Sequence, residues 1–153
     1  MKEMALTVIV PVFNEEKRLV SSARQLANWL SRHGGRHELL VVDDGSTDAT
    51  PVLLAGLARK IPSLRVIRLP HNRGKGAAVR EGLRCARGAA VLFMDVDLST
   101  APSQIPLALR QLAHGNDIAI GSRALPGSRL PVPQPLLRRV SGRIFNAAVR
   151  VIL

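Results

Sequence analysis

Asp95-Val96-Asp97 is the triplet that carries the most chemistry in this sequence. If a strand runs through it, alternation places both carboxylates on one side. Two like charges a few ångströms apart raise each other's pKa unless a positive charge stands between them. A divalent cation meets that need. An oxygen-only donor set favours Mg²⁺ or Mn²⁺ over Zn²⁺, and Mg²⁺ keeps waters and takes substrate phosphates as ligands. The simpler alternative is a pair that caps a strand end by accepting loop amides. Two further acidic clusters, Asn14-Glu15-Glu16 and Asp43-Asp44, favour the first reading. With the triplet they hold six of the 11 carboxylates in the chain. Arg73, Lys75 and Arg123 are candidates to meet phosphate oxygens through charge-assisted hydrogen bonds. Gly74 and Gly76 let a backbone approach a ligand closely or simply make a turn.

Rival motifs fail on spacing. The dinucleotide fingerprint needs a glycine at position 79, where Val79 stands, and it should follow the first strand. A P-loop needs Ser or Thr after Gly-Lys, whereas Gly76 follows Lys75. His33, His37, His71, His114 and Cys85 show no zinc spacing. Ser46 and Ser99 lack a nucleophile elbow, which argues against acyl hydrolysis.

The elements that must position these groups alternate between strand and helix. Apolar runs predict strands over Leu6–Val10 (closed by Pro11), Leu39–Val42, Leu64–Leu69, Ala89–Met94 and Asp117–Ile120. Helical spacing predicts helices over Glu15–Arg32, Thr50–Lys60, Ala77–Arg87 and Pro102–Ala113. In the second of these, Thr50 is the N-cap and Pro51 the first helical residue. A Gly- and Pro-rich loop follows from Gly121 to Pro135, and a last helical pattern runs from Leu136 to Leu153. The fold class is α/β, a Rossmann-like open and mostly parallel sheet with right-handed crossovers and helices on both faces. The acidic clusters then lie beyond the carboxyl ends of strands one, two and four, where such sheets bind ligands.

Composition limits the possible partners. The 153 residues hold 22 Lys+Arg against 11 Asp+Glu, a formal net charge of +11. A hydrophobic share of 46% excludes a disordered tail, and a single cysteine excludes a disulfide scaffold. The length suits about one domain with one core. No apolar run approaches the roughly 20 residues of a membrane helix, and the N-terminus has no secretory pattern, so a cytoplasmic chain is expected. Residues 101–153 carry seven basic side chains and one acidic, which favours anionic partners. Within Leu136–Leu153 the residues Leu137, Val140, Ile144, Ala148 and Val151 share one helical face, with Arg139, Arg143 and Arg150 on another. Such a helix either rests in a membrane interface or packs on the sheet with its arginines outward. The charge also raises a basic nucleic-acid-binding module. However, aromatics at 3%, with no tyrosine, leave few stacking platforms, and nucleic acid is not an expected partner.

Three of these motifs, in order, resemble glycosyltransferase family 2, the inverting nucleotide-sugar transferases of the GT-A fold. They are Val10-Pro11-Val12-Phe13-Asn14-Glu15-Glu16, Val42-Asp43-Asp44-Gly45-Ser46-Thr47-Asp48 and Asp95-Val96-Asp97-Leu98. The stretch from Asn72 to Gly82, with Gly121-Ser122-Arg123, is similar to the branch that glycosylates polyprenyl phosphates, nearer its glucosyl than its mannosyl members. The resemblance implies that Pro11, Phe13 and Glu15 line the nucleoside pocket, with Glu15 on the ribose. It implies that Asp43 bonds the base, Asp44 supports that loop, and Lys75 lies near the nucleotide. Asp95 belongs to the ribose or metal region. Asp97 holds Mg²⁺ or Mn²⁺ on the diphosphate, with Ser99 as a further ligand, and Arg123 steadies phosphate charge, which makes Asp97 and Arg123 the catalytic pair.

The implied reaction moves a hexose, glucose from UDP-glucose or else mannose from GDP-mannose, to a polyprenyl phosphate at the cytoplasmic membrane face. A phosphate acceptor is already anionic near neutral pH and needs positioning more than deprotonation, so no general base is assigned. Asp117, the one acid after Asp97, is expected at a strand start. Residues 1–135 are expected to form the nucleotide-sugar-binding core, and 136–153 to begin an acceptor-side segment. Family members usually continue beyond this point, so a truncated, donor-binding but inactive fragment is the other expectation.

Overall fold

The first strand, β1 (Leu6–Val12), is buried along its whole length, because it is covered on both faces and paired on both edges. The computed structural model describes residues 5–33 and 35–121. Arg123, most of the loop expected over 121–135 and the helical pattern over 136–153 lie outside the described residues. Beside β1 stand β2 (His37–Asp43), β3 (Leu64–Arg68) and β4 (Ala90–Phe93), all parallel, in the order β3-β2-β1-β4. The crossovers run through α1 (Leu19–His33), α2 (Thr50–Lys60) and α3 (Lys75–Cys85). A single 3₁₀ turn (Pro102–Gln104) leads into α4 (Ile105–Ala113).

Side-chain alternation divides the core in two. Val8 and Val10 of β1 with Leu39 and Val41 of β2 face α1 and α2, where Leu26, Leu30 and Leu54 are fully buried against them. Ile9, Leu40 and Val42 face the opposite way and pack on Ala78 of α3. The expected α1 positions Leu19, Ala23, Leu26, Ala27 and Leu30 are the buried ones. On the α3 face Gly82 admits close approach, because a Cβ there would stand 2.6 Å from Cγ2 of Ile9.

Four expectations change. First, β1 does not close at Pro11. Met94 N donates to Ile9 O on one edge, and Asp44 N donates to Val12 O on the other. Odd-numbered residues of β1 therefore point their backbone groups at β4, which has ended before Pro11, so the missing N–H of proline has no partner to lose.

Second, α1 starts at Leu19 and not at Glu15. The Glu15 amide donates to Thr50 Oγ1 at 2.9 Å and the Glu16 amide to Asp48 Oδ2 at 3.2 Å, which holds both residues in the loop. Third, Thr50 lies inside α2 and not at its cap. Its own amide donates to Asp48 Oδ1 at 2.9 Å while its hydroxyl serves Glu15. Fourth, residues 117–120 form no strand. Ile118 and Ile120 are 76% and 81% exposed, without a sheet edge against them among the described residues.

Candidate donor cleft

Strand ends place the site. Beyond β1, Phe13-Asn14-Glu15 turns sharply, with Asn14 at φ 53°, a left-handed conformation that Asn tolerates better than most residues. The Asn14 side chain then serves as a stitch. Its Oδ1 accepts the amides of Thr47 (2.9 Å) and Asp48 (3.3 Å), and the Asn14 backbone N–H donates to Ser46 Oγ at 2.9 Å. The loops after β1 and β2 are thereby one rigid unit. Desolvation works against ionisation of Asp48, but hydrogen bonds from the Thr50 hydroxyl and from the Thr50 and Glu16 amides outweigh it and hold that carboxyl below its ordinary value.

The two aspartates at the end of β2 do different work. Asp43 is fully buried. Its Oδ1 accepts the Ser46 amide at 2.9 Å, and its Oδ2 stands 3.3 Å from Arg68 Nε in an ion-pair contact that makes no hydrogen bond. Arg68 is the cross-strand neighbour of Asp43 on β3 and also donates to Ser46 O at 3.1 Å. Asp44 accepts the amides of Arg73 (2.9 Å) and Gly74 (2.7 Å), so both of its oxygens fasten the loop that leads into α3. Gly45 has φ 72°, and a Cβ there would meet the His71 backbone at 2.5 Å, so the turn after Asp44 requires glycine.

Beyond β4 the chain turns where alternation predicts extension. The strand ends at Phe93, Leu98 N donates to Asp95 O at 3.1 Å, and Leu98 itself takes φ 51°. Val96 is buried between the two aspartates, which face the same cleft by virtue of this turn and not of strand pleating. Lys75 Nζ, at the start of α3, pairs with Asp95 Oδ1. The Ser99 amide donates to Asp97 Oδ1 at 2.9 Å.

These loops enclose a cleft of about 430 Å³. Of the residues expected at the site, Pro11, Phe13, Glu15, Asp44, Lys75, Asp95 and Asp97 line it. Asp43 and Ser99 are not in its lining, and Arg123 lies outside the described residues. Arg18 lines the cleft without having been singled out by sequence, and Asn72, which opens the stretch from Asn72 to Gly82, lines it without having been given a role. Arg18 binds Glu15 at 3.2 Å across the turn that precedes α1, and the signal for it was the i,i+3 spacing of opposite charges.

The donor set fits a hard cation only if the ligand completes it. Asp95 and Asp97 bring carboxylates to one cavity, and among the described residues no group of three or more Asp, Glu, His or Cys could cage an ion. Two carboxylates plus phosphate oxygens and water are the surroundings Mg²⁺ and Mn²⁺ accept.

Comparison with known proteins agrees with this geometry. The glycosyl transferase family 2 profile matches residues 7–146. The dolichyl-phosphate beta-glucosyltransferase of Drosophila melanogaster is 41% identical over 134 residues, covering 79% of this chain and 41% of that protein. Mannosyltransferase PcManGT from Pyrobaculum calidifontis, solved in complex with GDP-Man and Mn²⁺, superposes with a TM-score of 0.60 at 32% identity. That match covers 73% of this chain and 33% of the other. S. aureus TarS 1–349 in complex with UDP-GlcNAc gives a TM-score of 0.60 at 29% identity, over 86% of this chain and 37% of that one. The chain thus spans less than half the length of the relatives it matches.

Proposed function

This chain belongs to glycosyltransferase family 2, and we propose that its cleft binds a nucleotide sugar whose hexose, glucose from UDP-glucose, passes with inversion to a polyprenyl phosphate. The observation that carries this reading is the meeting of Asp95, Asp97 and Lys75 in one cleft with the loop after β1, at the carboxyl ends of β1 and β4. A nucleoside fits along Pro11, Phe13 and Glu15, and the diphosphate reaches the 95–97 turn and the α3 amino terminus. Phe13, 41% exposed, offers an apolar face to a base.

Transfer requires that charge be absorbed. As the acceptor phosphate attacks the anomeric carbon, the bond to the nucleoside diphosphate breaks and negative charge grows on the leaving oxygen. Asp95 and Asp97 would hold a divalent ion, Mg²⁺ or Mn²⁺, which would supply electrostatic neutralisation of the leaving diphosphate. Lys75 adds a positive charge, and the family resemblance assigns Arg123 the same task. The acceptor phosphate arrives ionised, so the chain need only hold it in line. Because the acceptor is a lipid, we place the protein peripherally on the cytoplasmic membrane face. The likeness to the Drosophila glucosyltransferase supports glucose.

Calorimetric titration of UDP and GDP, with and without Mn²⁺, tests the donor site. Metal-enhanced UDP binding that Asp97→Ala weakens at least tenfold is the expected result. Binding indifferent to metal, or equal in the variant, overturns it. The second reading, mannose from GDP-mannose, is favoured by the likeness to the GDP-Man-bound mannosyltransferase. A GDP preference in the same titration, with radiolabel extracted into organic solvent only from GDP-mannose, selects it.

A further inference from the structure

Four carboxylates line the cleft, and their partners differ. Glu15 is held by Arg18 at 3.2 Å, and Asp44 is spent on two loop amides. Asp97 gives one oxygen to the Ser99 amide and has no ion-pair partner among the described residues. Asp95 alone is met by a lysine, and that lysine comes from another element. Lys75 opens α3 while Asp95 follows β4, and the two side chains are 57% and 50% exposed. An ion pair this open is held weakly and exchanges partners at little cost.

A lone divalent cation approaching Asp95 and Asp97 therefore meets an ammonium already in place. It must either displace that group or sit a few ångströms from a like charge, and both outcomes weaken its binding. A nucleoside diphosphate changes the balance, because its oxygens give the ammonium a partner at least as good as the carboxylate. We propose that Lys75 is the counter-cation of Asp95 in the donor-free cleft, and that it releases Asp95 to a divalent ion only when a nucleoside diphosphate takes the lysine in exchange. Ion and diphosphate then enter as one unit, and the 95–97 turn is kept from trapping free cations. This rests on the reading of the cleft as a donor site, and it gives Lys75 a second task there beside meeting the diphosphate.

Two titrations separate the possibilities, with the full chain as wild type, Lys75→Gln and Lys75→Arg. Free Mn²⁺ is followed by the electron paramagnetic resonance signal of the hydrated ion, and metal-free UDP by calorimetry. Removing the ammonium should tighten free Mn²⁺ binding about three- to fivefold, the range an exposed pair can supply. It should also weaken metal-free UDP binding by a similar factor, while Lys75→Arg, which keeps the charge, stays near wild type in Mn²⁺ affinity. Shifts of opposite sign are not produced by a damaged fold, which weakens both ligands. If wild type binds Mn²⁺–UDP but Lys75→Gln binds free Mn²⁺ no better than wild type, the exchange is wrong and the donor site stands. If wild type binds UDP neither alone nor with Mn²⁺, the donor site itself falls, and this inference with it.

Discussion

Asp44 shows how a residue chosen for chemistry can act by holding backbone. It is 2% exposed, and its two oxygens accept the amides of Arg73 and Gly74 at 2.9 and 2.7 Å. Those amides precede Lys75, so Asp44 sets where the lysine starts. Asp44→Ala leaves both donors without a carboxylate, and hydrogen bonds to a charged acceptor are worth about 1.5–3 kcal/mol each. We expect a loss of about 3 kcal/mol in urea denaturation. Asp44→Asn, which keeps a single acceptor oxygen, should lose about half as much. Metal-assisted UDP binding should weaken in the same order. If both variants match wild-type stability, the two bonds are not holding the loop. From sequence, the resemblance gives Asp43 the base and Asp44 the support of its own loop, and does not reveal the partners each one takes. Their division of labour follows from direction: one lies under Arg68 across the sheet, the other meets a loop 29 residues on.

At the scale of elements, the cleft depends on how closely α3 lies on β1. Gly82 sets that distance, since a Cβ would overlap Cγ2 of the fully buried Ile9. Alanine raises helix propensity by about 1 kcal/mol over glycine, but overpacking a core costs about 1–3 kcal/mol. The clash should win. Gly82→Ala is expected to lower stability by about 1–2 kcal/mol in thermal unfolding, and Ile9→Ala in the same chain should recover part of its own loss. Strict additivity of the two changes would show that they do not touch.

Elements were the level most open to sequence reading. The four paired strands follow from apolar runs, of which β1 and β2 are covered on both faces, and α1 from five apolar positions at helical spacing, all of them buried. What escaped depends on neighbours. Pro11 reads as a strand end unless the length of β4 is known. Glu15 and Glu16 read as a first helical turn unless Thr50 and Asp48 are known to claim their amides. Ile118 and Ile120 alternate like a strand but meet no edge among the described residues. Asp95 and Asp97 were legible as a pair, whereas the turn that aims them, with Leu98 at a positive φ, was not.

For the molecule as a whole, charge is the property to weigh. The net +11 is not concentrated at the cleft, whose lining holds Glu15, Asp44, Asp95 and Asp97 against Arg18 and Lys75. The excess lies elsewhere, with seven basic residues and one acid in 101–153. A nucleotide sugar is itself anionic, so the cleft needs its own cations, and the remaining field is available to a larger anionic surface. The lipid acceptor proposed above would make a membrane that surface. Arg139, Arg143 and Arg150 share one side of the helical pattern over 136–153, and each basic residue near an anionic bilayer is worth about 1 kcal/mol. Replacing all three with glutamine should weaken binding to vesicles containing phosphatidylglycerol by about a hundredfold. Neutral phosphatidylcholine vesicles should bind poorly either way, and UDP binding should be unchanged. Raising salt should release the wild type, because exposed charges are screened within a Debye length of about 8 Å near physiological ionic strength. Equal sedimentation with neutral and anionic vesicles, or a triple variant that still binds like wild type, would remove the membrane from this account. Steep, salt-sensitive retention of nucleic acid in a gel would instead give the basic excess to that partner.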